Sequence, residues 1–344
     1  MTESTRTMRA IVQRSYAATD AWQLGELPDP VPGDGEVLIA VHAAGLDRGT
    51  WHLMVGLPRA ARLAFGLRHP RNPVPGLDLA GRVVEVGTGV TRFKVGDEVL
   101  GIGAGSFAEF AVAKESKLSH KPAGLPFESA AVLAVSCLTA IQALDLGRVD
   151  SGSRVLITGA SGGVGSYAVQ IAAARGARVT AVCSTSKVEL VRSLGATDVI
   201  DYSAQDVTTT DGRFDVVLDI AGGQPLSRLR RLIDGRGTLV VVGAEDNGNL
   251  IGMRRQLLAV LTSPFVRQRL RMMVSKENSA DLERLVELIE RGDLTPSVGH
   301  TVPLEQAADA MALLVGGEAR GKIAIVVQPA SEPTPPAEVS SRVV

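Results

Sequence analysis

The amino-acid sequence predicts an α/β chain: a β-rich first third, read as a barrel or sandwich, followed by a parallel sheet with helices on both faces. Two patterns predict it. Over residues 36–112, short apolar runs close on glycine with no helical pattern between them. From about Glu128 onward, strand and helix patterns alternate, and the strands are apolar almost throughout, as in a sheet buried on both faces. At 344 residues the chain has room for roughly two domains.

The elements follow in order. Glu36-Val-Leu-Ile-Ala-Val-His-Ala-Ala is a buried-strand run between Pro32-Gly-Asp-Gly and Gly45. Further strands are expected at Leu79–Val86, Asp97–Leu100 and Phe107–Val112. A helical run over Ala130–Leu144 leads to a strand at Arg154–Thr158, a glycine loop, and a helix from Gly163 to Arg175. Strands at Arg178–Cys183, Thr197–Tyr202, Phe214–Ile220 and Thr238–Gly243 are separated by helical stretches at Lys187–Leu194 and Leu226–Ile233. Arg269–Val274 is the expected last strand of that sheet. Amphipathic helices over Ala280–Arg291 and Leu304–Leu314 precede a final strand that starts at Lys322, and the Pro- and Ser-rich tail Pro329–Val344 is expected to be disordered.

Composition excludes several function classes. Thirty-six Lys and Arg against 37 Asp and Glu leave no basic excess for a phosphate backbone, and 3% aromatic residues provide no base-stacking platform; no nucleic-acid partner is expected. Two cysteines, Cys137 and Cys183, build neither a disulfide framework nor a four-cysteine metal site, and both read as buried small hydrophobes. The start of the chain is polar, and the apolar stretch Ala130–Leu146 is broken by Ser136, Thr139, Gln142 and Asp145. The expectation is a soluble, cytoplasmic protein with no membrane partner.

Ala160-Ser161-Gly162-Gly163-Val164-Gly165 follows a strand directly and opens a helix. Unpaired amides and a partial positive charge at a helix start suit a pyrophosphate; Gly162 permits close backbone approach and Gly165 close packing of helix on strand. The bland alternative is a strand–helix turn that needs glycine for packing alone. The next strand, ending at Cys183, lies at the spacing of a dinucleotide fold. An NAD site places an acid at that strand's end, but here Cys183-Ser-Thr-Ser-Lys187 has none before Glu189. Ser184 and Lys187 are suited to a 2′-phosphate, which favours NADPH; the competing reading is a helix N-cap with a solvated lysine.

In order, Val41-His-Ala-Ala-Gly, Trp51-His-Leu-Met-Val-Gly, Pro75-Gly-Leu-Asp-Leu-Ala-Gly-Arg-Val, Val95-Gly-Asp-Glu-Val, Ser106-Phe-Ala-Glu-Phe, Leu138-Thr-Ala, the glycine loop, Leu194-Gly-Ala, Val199-Ile-Asp-Tyr and Arg320-Gly-Lys resemble the medium-chain dehydrogenase/reductase superfamily, in its zinc-independent quinone oxidoreductase branch. The resemblance spans residues 8–327. It implies a GroES-like β-barrel catalytic domain (1–127 and 277–328), a doubly wound Rossmann NADP-binding domain inserted between (128–276), and an active site in the cleft. By position, Thr139 would lie near the nicotinamide, with Gly162, Gly163 and Val164 at the pyrophosphate and Lys187 and Tyr202 at the adenosine phosphate end. Val242 and Gly243 would pass the nicotinamide as backbone, and Lys322 would reach a phosphate. For Thr139, Tyr202 and Lys322 a plain structural role stays open.

Zinc-dependent relatives carry ligands where this chain has Asp47, Leu77 and Val135; one carboxylate does not make a three-ligand site, so no metal is expected. The family often has Asn-Pro-x-Asp where this chain has Asp47-Arg48-Gly49-Thr50. An ionised Asp47 accepts only and would oppose a developing enolate unless Arg48 pairs with it or serves as donor; the alternative is a surface ion pair. The implied function is NADPH-dependent hydride transfer to quinones or α,β-unsaturated carbonyls, with a cofactor-binding redox sensor or interaction protein as the rival. A homodimer joined through the edge strand Arg269–Val274 is expected, unless Arg269 and Arg271 blunt that edge.

Overall fold

The computed structural model describes residues 6–17, 21–243 and 254–328; the expected disordered tail lies outside them. The chain starts with an antiparallel pair, β1 (Thr7–Gln13) and β2 (Trp22–Pro28). β3 (Glu36–Leu46) then runs into a helix, α1 (Arg48–Val55), and a single turn, α2 (Arg62–Phe65). β4 (Asp78–Val86), β5 (Glu98–Ile102), β6 (Phe110–Lys114) and β7 (Leu118–His120) follow. The expectation of a helix-free first third thus fails at α1. Asp47 caps its start by accepting from the Thr50 N–H at 2.8 Å, and Gly56 ends it at φ 64°, a boundary pair the sequence displays.

After α3 (Phe127–Ala131) and α4 (Ala134–Gly147) the chain alternates: β8 (Arg154–Thr158), α5 (Gly163–Ala174), β9 (Arg178–Cys183), α6 (Val188–Ser193), β10 (Asp198–Asp201) and β11 (Phe214–Asp219). The helix expected over Leu226–Ile233 is one α turn, α7 (Leu226–Leu229), with a 3-10 turn after it, because β12 (Ile233–Val241) starts five residues earlier than its apolar run suggests. Gly235 and Gly237 hide that start from a strand pattern. α8 (Arg254–Thr262), β13 (Arg269–Met272), α9 (Ser279–Glu290), β14 (Val298–Pro303), α10 (Ala307–Val315) and β15 (Lys322–Val326) complete the chain.

Two large sheets result. One has the order β14-β15-β3-β4-β5-β7, with β6 also pairing β3, so the chain's last strands join its first third. The other is parallel, in the order β10-β9-β8-β11-β12-β13, and β13 is its edge as expected. The order reverses between β8 and β11, where a doubly wound sheet opens a crevice beyond its strand ends. Among the described residues no helix is long and apolar enough to cross a membrane.

One core reaches both sheets. α4 lies between them with Cys137, Leu138, Ile141 and Leu144 fully buried, in a cluster that holds Ala43, Ala80 and Leu100 of the first sheet and Val155, Ile157 and Leu218 of the second. Phe127 stacks on His42 with ring centroids 4.2 Å apart, docking α3 on β3. Gly45 makes the approach possible: a Cβ there would meet the Ala131 carbonyl oxygen at 2.3 Å and Asp78 Cβ at 2.8 Å. Gly45→Ala should therefore cost about 1–3 kcal/mol of stability by overpacking. Urea unfolding measures it; an unchanged midpoint would contradict the tight junction.

Candidate active site

The crevice is framed by the carboxyl ends of β8 and β11. The Thr158 hydroxyl donates to Asp219 Oδ1 at 3.0 Å and accepts from the Ile220 N–H at 3.0 Å, which fixes the two strand ends together. α5 starts there. Gly165 seats it against β8, since a Cβ at Gly165 would lie 2.0 Å from the Gly159 carbonyl oxygen. At Gly162 a Cβ would meet only that same oxygen, at 3.3 Å, so its outer side is open. No side chain caps the helix and no acid sits in its first turn. The Gly163, Val164 and Gly165 amides are left without an acceptor among the described residues, the arrangement that binds an anion. Ser161 lies in this same loop, half-buried.

A buried polar cluster borders the loop. Lys322 is 4% exposed; its Nζ donates to Ser136 Oγ at 2.9 Å and stands 3.9 Å from Asp78 Oδ2. Asp78 is fully buried, and its Oδ1 accepts from the Val135 N–H at 2.7 Å while Oδ2 has no hydrogen bond. Burial pushes the Asp78 carboxyl up to about 8; Lys322 opposes that rise and Asp47 adds to it. Thr139, one turn beyond Ser136, donates its hydroxyl to the Val135 carbonyl at 2.7 Å, a helix-internal bond that leaves the oxygen able to accept. At the end of β12, the Val242 and Gly243 amides both donate to the Asp219 carbonyl, at 3.0 and 3.1 Å. The Gly243 carbonyl in turn accepts from Gln256 at 3.2 Å.

The end of β9 lies on the other side of the loop. The Tyr202 N–H donates to the Cys183 carbonyl at 3.0 Å, which brings Tyr202, 61% exposed, beside Ser184. Ser184 begins the 3-10 turn Thr185–Lys187, but its hydroxyl makes no capping bond, so the capping alternative is not what Ser184 does. Lys187 Nζ donates to the Ala319 carbonyl at 3.3 Å. Sequence inspection missed one group here. Asp201, at the end of the neighbouring strand β10, accepts from Thr185 Oγ1 at 2.6 Å, and that bond, with the Ser203 N–H, holds its carboxyl below the usual range. The signal was available in Val199-Ile-Asp-Tyr, once β9 and β10 are paired.

Asp47 is buried, so a plain surface ion pair with Arg48 does not describe it. One oxygen caps α1 and the other, Oδ2, has no hydrogen bond. Arg48, the first residue of α1, is exposed. Leu77 and Val135 are partly buried apolar residues against the shared core.

Residues 33–123 match the family model for the alcohol dehydrogenase GroES-like domain, and residues 194–325 the one for zinc-binding dehydrogenases. The chloroplast envelope quinone oxidoreductase homolog of Arabidopsis thaliana is 32% identical over 94% of this chain and 98% of its own length. The chain belongs to the medium-chain dehydrogenase/reductase superfamily, in its quinone oxidoreductase branch. The mitochondrial NAD(P)H oxidoreductase RTN4IP1 of Bos taurus is 33% identical over 85% of the chain and 82% of its own length. Among solved structures, the quinone oxidoreductase from Coxiella burnetii superposes with a TM-score of 0.83 at 26% identity, over 94% of this chain and all of that one.

As a medium-chain dehydrogenase/reductase the protein is an oxidoreductase, and its glycine loop fits the nicotinamide dinucleotide of that superfamily: amides without an acceptor among the described residues follow Gly162, whose outer side is open. A zinc ion does not fit: Leu77 and Val135 have no donor atom, and among the described residues no group of three His, Cys, Asp or Glu is placed to hold one.

The buried acid has a consequence for stability. Asp78 titrates near 8 when folded against an ordinary 3.8, so the folded state binds the proton more tightly. The stabilisation is complete below 3.8 and is lost as pH rises through about 8, by up to about 1.4 kcal/mol per pH unit. Unfolding free energy of the cofactor-free protein should fall between pH 5 and 8, and Asp78→Asn should flatten the profile. Equal slopes in both proteins would refute the assignment.

Proposed function

We propose that the protein is an NADPH-dependent, zinc-independent reductase that delivers hydride to quinones or to the β-carbon of α,β-unsaturated carbonyls. The observation that carries this is the uncapped start of α5 beside Ser184, Lys187 and Tyr202. When bound, the nicotinamide supplies the hydride. The Gly162–Gly165 loop, with Ser161, holds the pyrophosphate on its amides, and Lys322 adds a positive charge. Ser184, Lys187 and Tyr202 hold the ribose 2′-phosphate. The Thr139 oxygen and the backbone of Val242 and Gly243 fix the nicotinamide's face. The same reading assigns residues 1–127 and 277–328 to the catalytic unit and 128–276 to the cofactor unit, with the protein in the cytoplasm.

The residue types argue for activated acceptors. With Leu77 and Val135 at two of the three ligand positions, no ion is held to neutralise an alkoxide. Quinones and enones spread the charge and need less electrophilic help than simple ketones. Asp47 and Arg48 border the reacting end, where Arg48 is the donor and solvent supplies the proton. Asp47 also supports the rival reading, a cofactor-binding redox sensor with little turnover, because a buried carboxylate oxygen without a donor opposes an enolate. Protein dialysed against a strong chelator should oxidise NADPH steadily with quinones or enones and keep its melting temperature. NADPH binding without turnover across the panel would select the sensor, and turnover that returns only with zinc would reject the metal-free site.

Cofactor choice is tested separately. Charge-assisted hydrogen bonds of about 1.5–3 kcal/mol should make NADPH bind at least about tenfold tighter than NADH, despite the nearby Asp201. Lys187→Ala should remove much of that difference. Equal affinities in a fluorescence titration of the wild type would contradict this reading.

The assembly follows from the sheet edge. Among the described residues no strand pairs with the outer side of β13, and α8 beside it exposes Leu257, Leu258, Val260 and Leu261. A two-fold axis would let two copies cover this face and pair their edges. Light scattering at micromolar concentration should give twice 36.0 kDa, and Met272→Pro should split the dimer. A single-chain mass for the wild type would reject it.

A further inference from the structure

Lys322 stands between two groups that want the same charge. On one side is Asp78, fully buried, with Oδ2 unsatisfied and the ammonium at 3.9 Å, too far for a hydrogen bond. On the other is the start of α5. A Cβ on Gly163 would lie 3.1 Å from Lys322 Cδ and 3.8 Å from its Nζ. The short link is to Ser136, at 2.9 Å, a neutral group that holds the ammonium in place without neutralising it.

We propose that cofactor binding makes Asp78 take up a proton: the pyrophosphate arriving at α5 claims the Lys322 ammonium, and the carboxylate left behind is neutralised from solvent. This rests on the pyrophosphate binding at α5. The balance is simple. One proton leaves solvent and joins an Asp78 oxygen, Lys322 stays charged, and no other bond changes. Asp78 is thus a positioning residue that holds Lys322 ready and then releases it.

The surroundings admit this exchange and no obvious substitute. Among the described residues, the charged groups acting on Asp78 are Lys322, Asp47 beyond β3 and Glu277 ahead of α9, so withdrawing Lys322 leaves negative neighbours. From α4 and α5 the buried Cys137 thiol and Tyr167 hydroxyl face it, and burial keeps both neutral. On β3, burial depresses His42 and disfavours its charged form. The Val135 N–H bond to Oδ1 survives protonation at Oδ2. Because Asp78 already titrates near 8, the uptake belongs to the alkaline range.

Isothermal titration of the full chain with NADPH at pH 8.5, in two buffers of different ionisation heat, tests it. There the cofactor phosphates are fully ionised. The wild type should take up a fraction of a proton per NADPH, at most about 0.8, and its affinity should fall as pH rises further, by less than tenfold per unit. Asp78→Asn, which keeps an acceptor for the Val135 amide, should bind with no proton exchange and a flat profile. Lys322→Met, which leaves Asp78 without its cation from the outset, should likewise show none. NADPH binding by the wild type without uptake at pH 8.5 overturns the proposal, as does equal uptake in Asp78→Asn. Absence of NADPH binding at every pH would instead overturn the cofactor reading on which it stands.

Discussion

Among the described residues, three backbone amides at the start of α5 have no acceptor, and much of the local structure keeps them so. A helix start inside a folded protein is normally capped, because each buried unpaired amide costs about 1–3 kcal/mol. Here the cap residue is Gly162, which has no side chain to offer, and the first turn has no acid. Gly165 presses the helix onto β8, and Thr158 with Asp219 ties the two strand ends together at the crevice. The protein thereby keeps a positive, donor-rich end open to an anion, and supplies the missing charge from without.

The same economy shows in the polar cluster. α4 is wedged between two sheets by apolar packing, and where that packing meets the loop the chain buries a lysine and an aspartate instead of more apolar surface. A buried pair at 3.9 Å with one orphaned oxygen is a poor stabilising device. It makes sense as a site that anticipates a ligand, since each group is left partly unsatisfied toward the crevice. Asp47 departs from this pattern: one of its oxygens stabilises α1, and the other has no donor.

Local signals in the sequence made much of this legible. The glycine loop and the alternation from β8 to β12 follow from period, breakers and spacing, whereas the edge position of β13 came from the family resemblance. α1 escaped because Asp47 was weighed as chemistry when it is also a helix cap, with Gly56 as the matching stop. β2 and β14 went unread because their residues are largely exposed, with no continuous apolar run, and β1 because its apolar run Ala10-Ile-Val is only three residues long. The Asp78–Lys322–Ser136 cluster was beyond local reading altogether. Ser136 and Lys322 are 186 residues apart, and only closure of the last strands onto the first sheet brings them together. Asp201 needed the register of β9 and β10 to be seen beside Thr185.

The proposed function stands or falls with whether this open helix start receives a nicotinamide cofactor's pyrophosphate. A crystal structure of the protein grown with NADPH addresses it most directly. Phosphate oxygens should lie within about 3 Å of the Gly163–Gly165 amides. The 2′-phosphate should lie among Ser184, Lys187 and Tyr202, with the Lys322 ammonium turned from Asp78 toward the pyrophosphate. A cofactor bound elsewhere, or one whose pyrophosphate leaves those amides facing water, would contradict it.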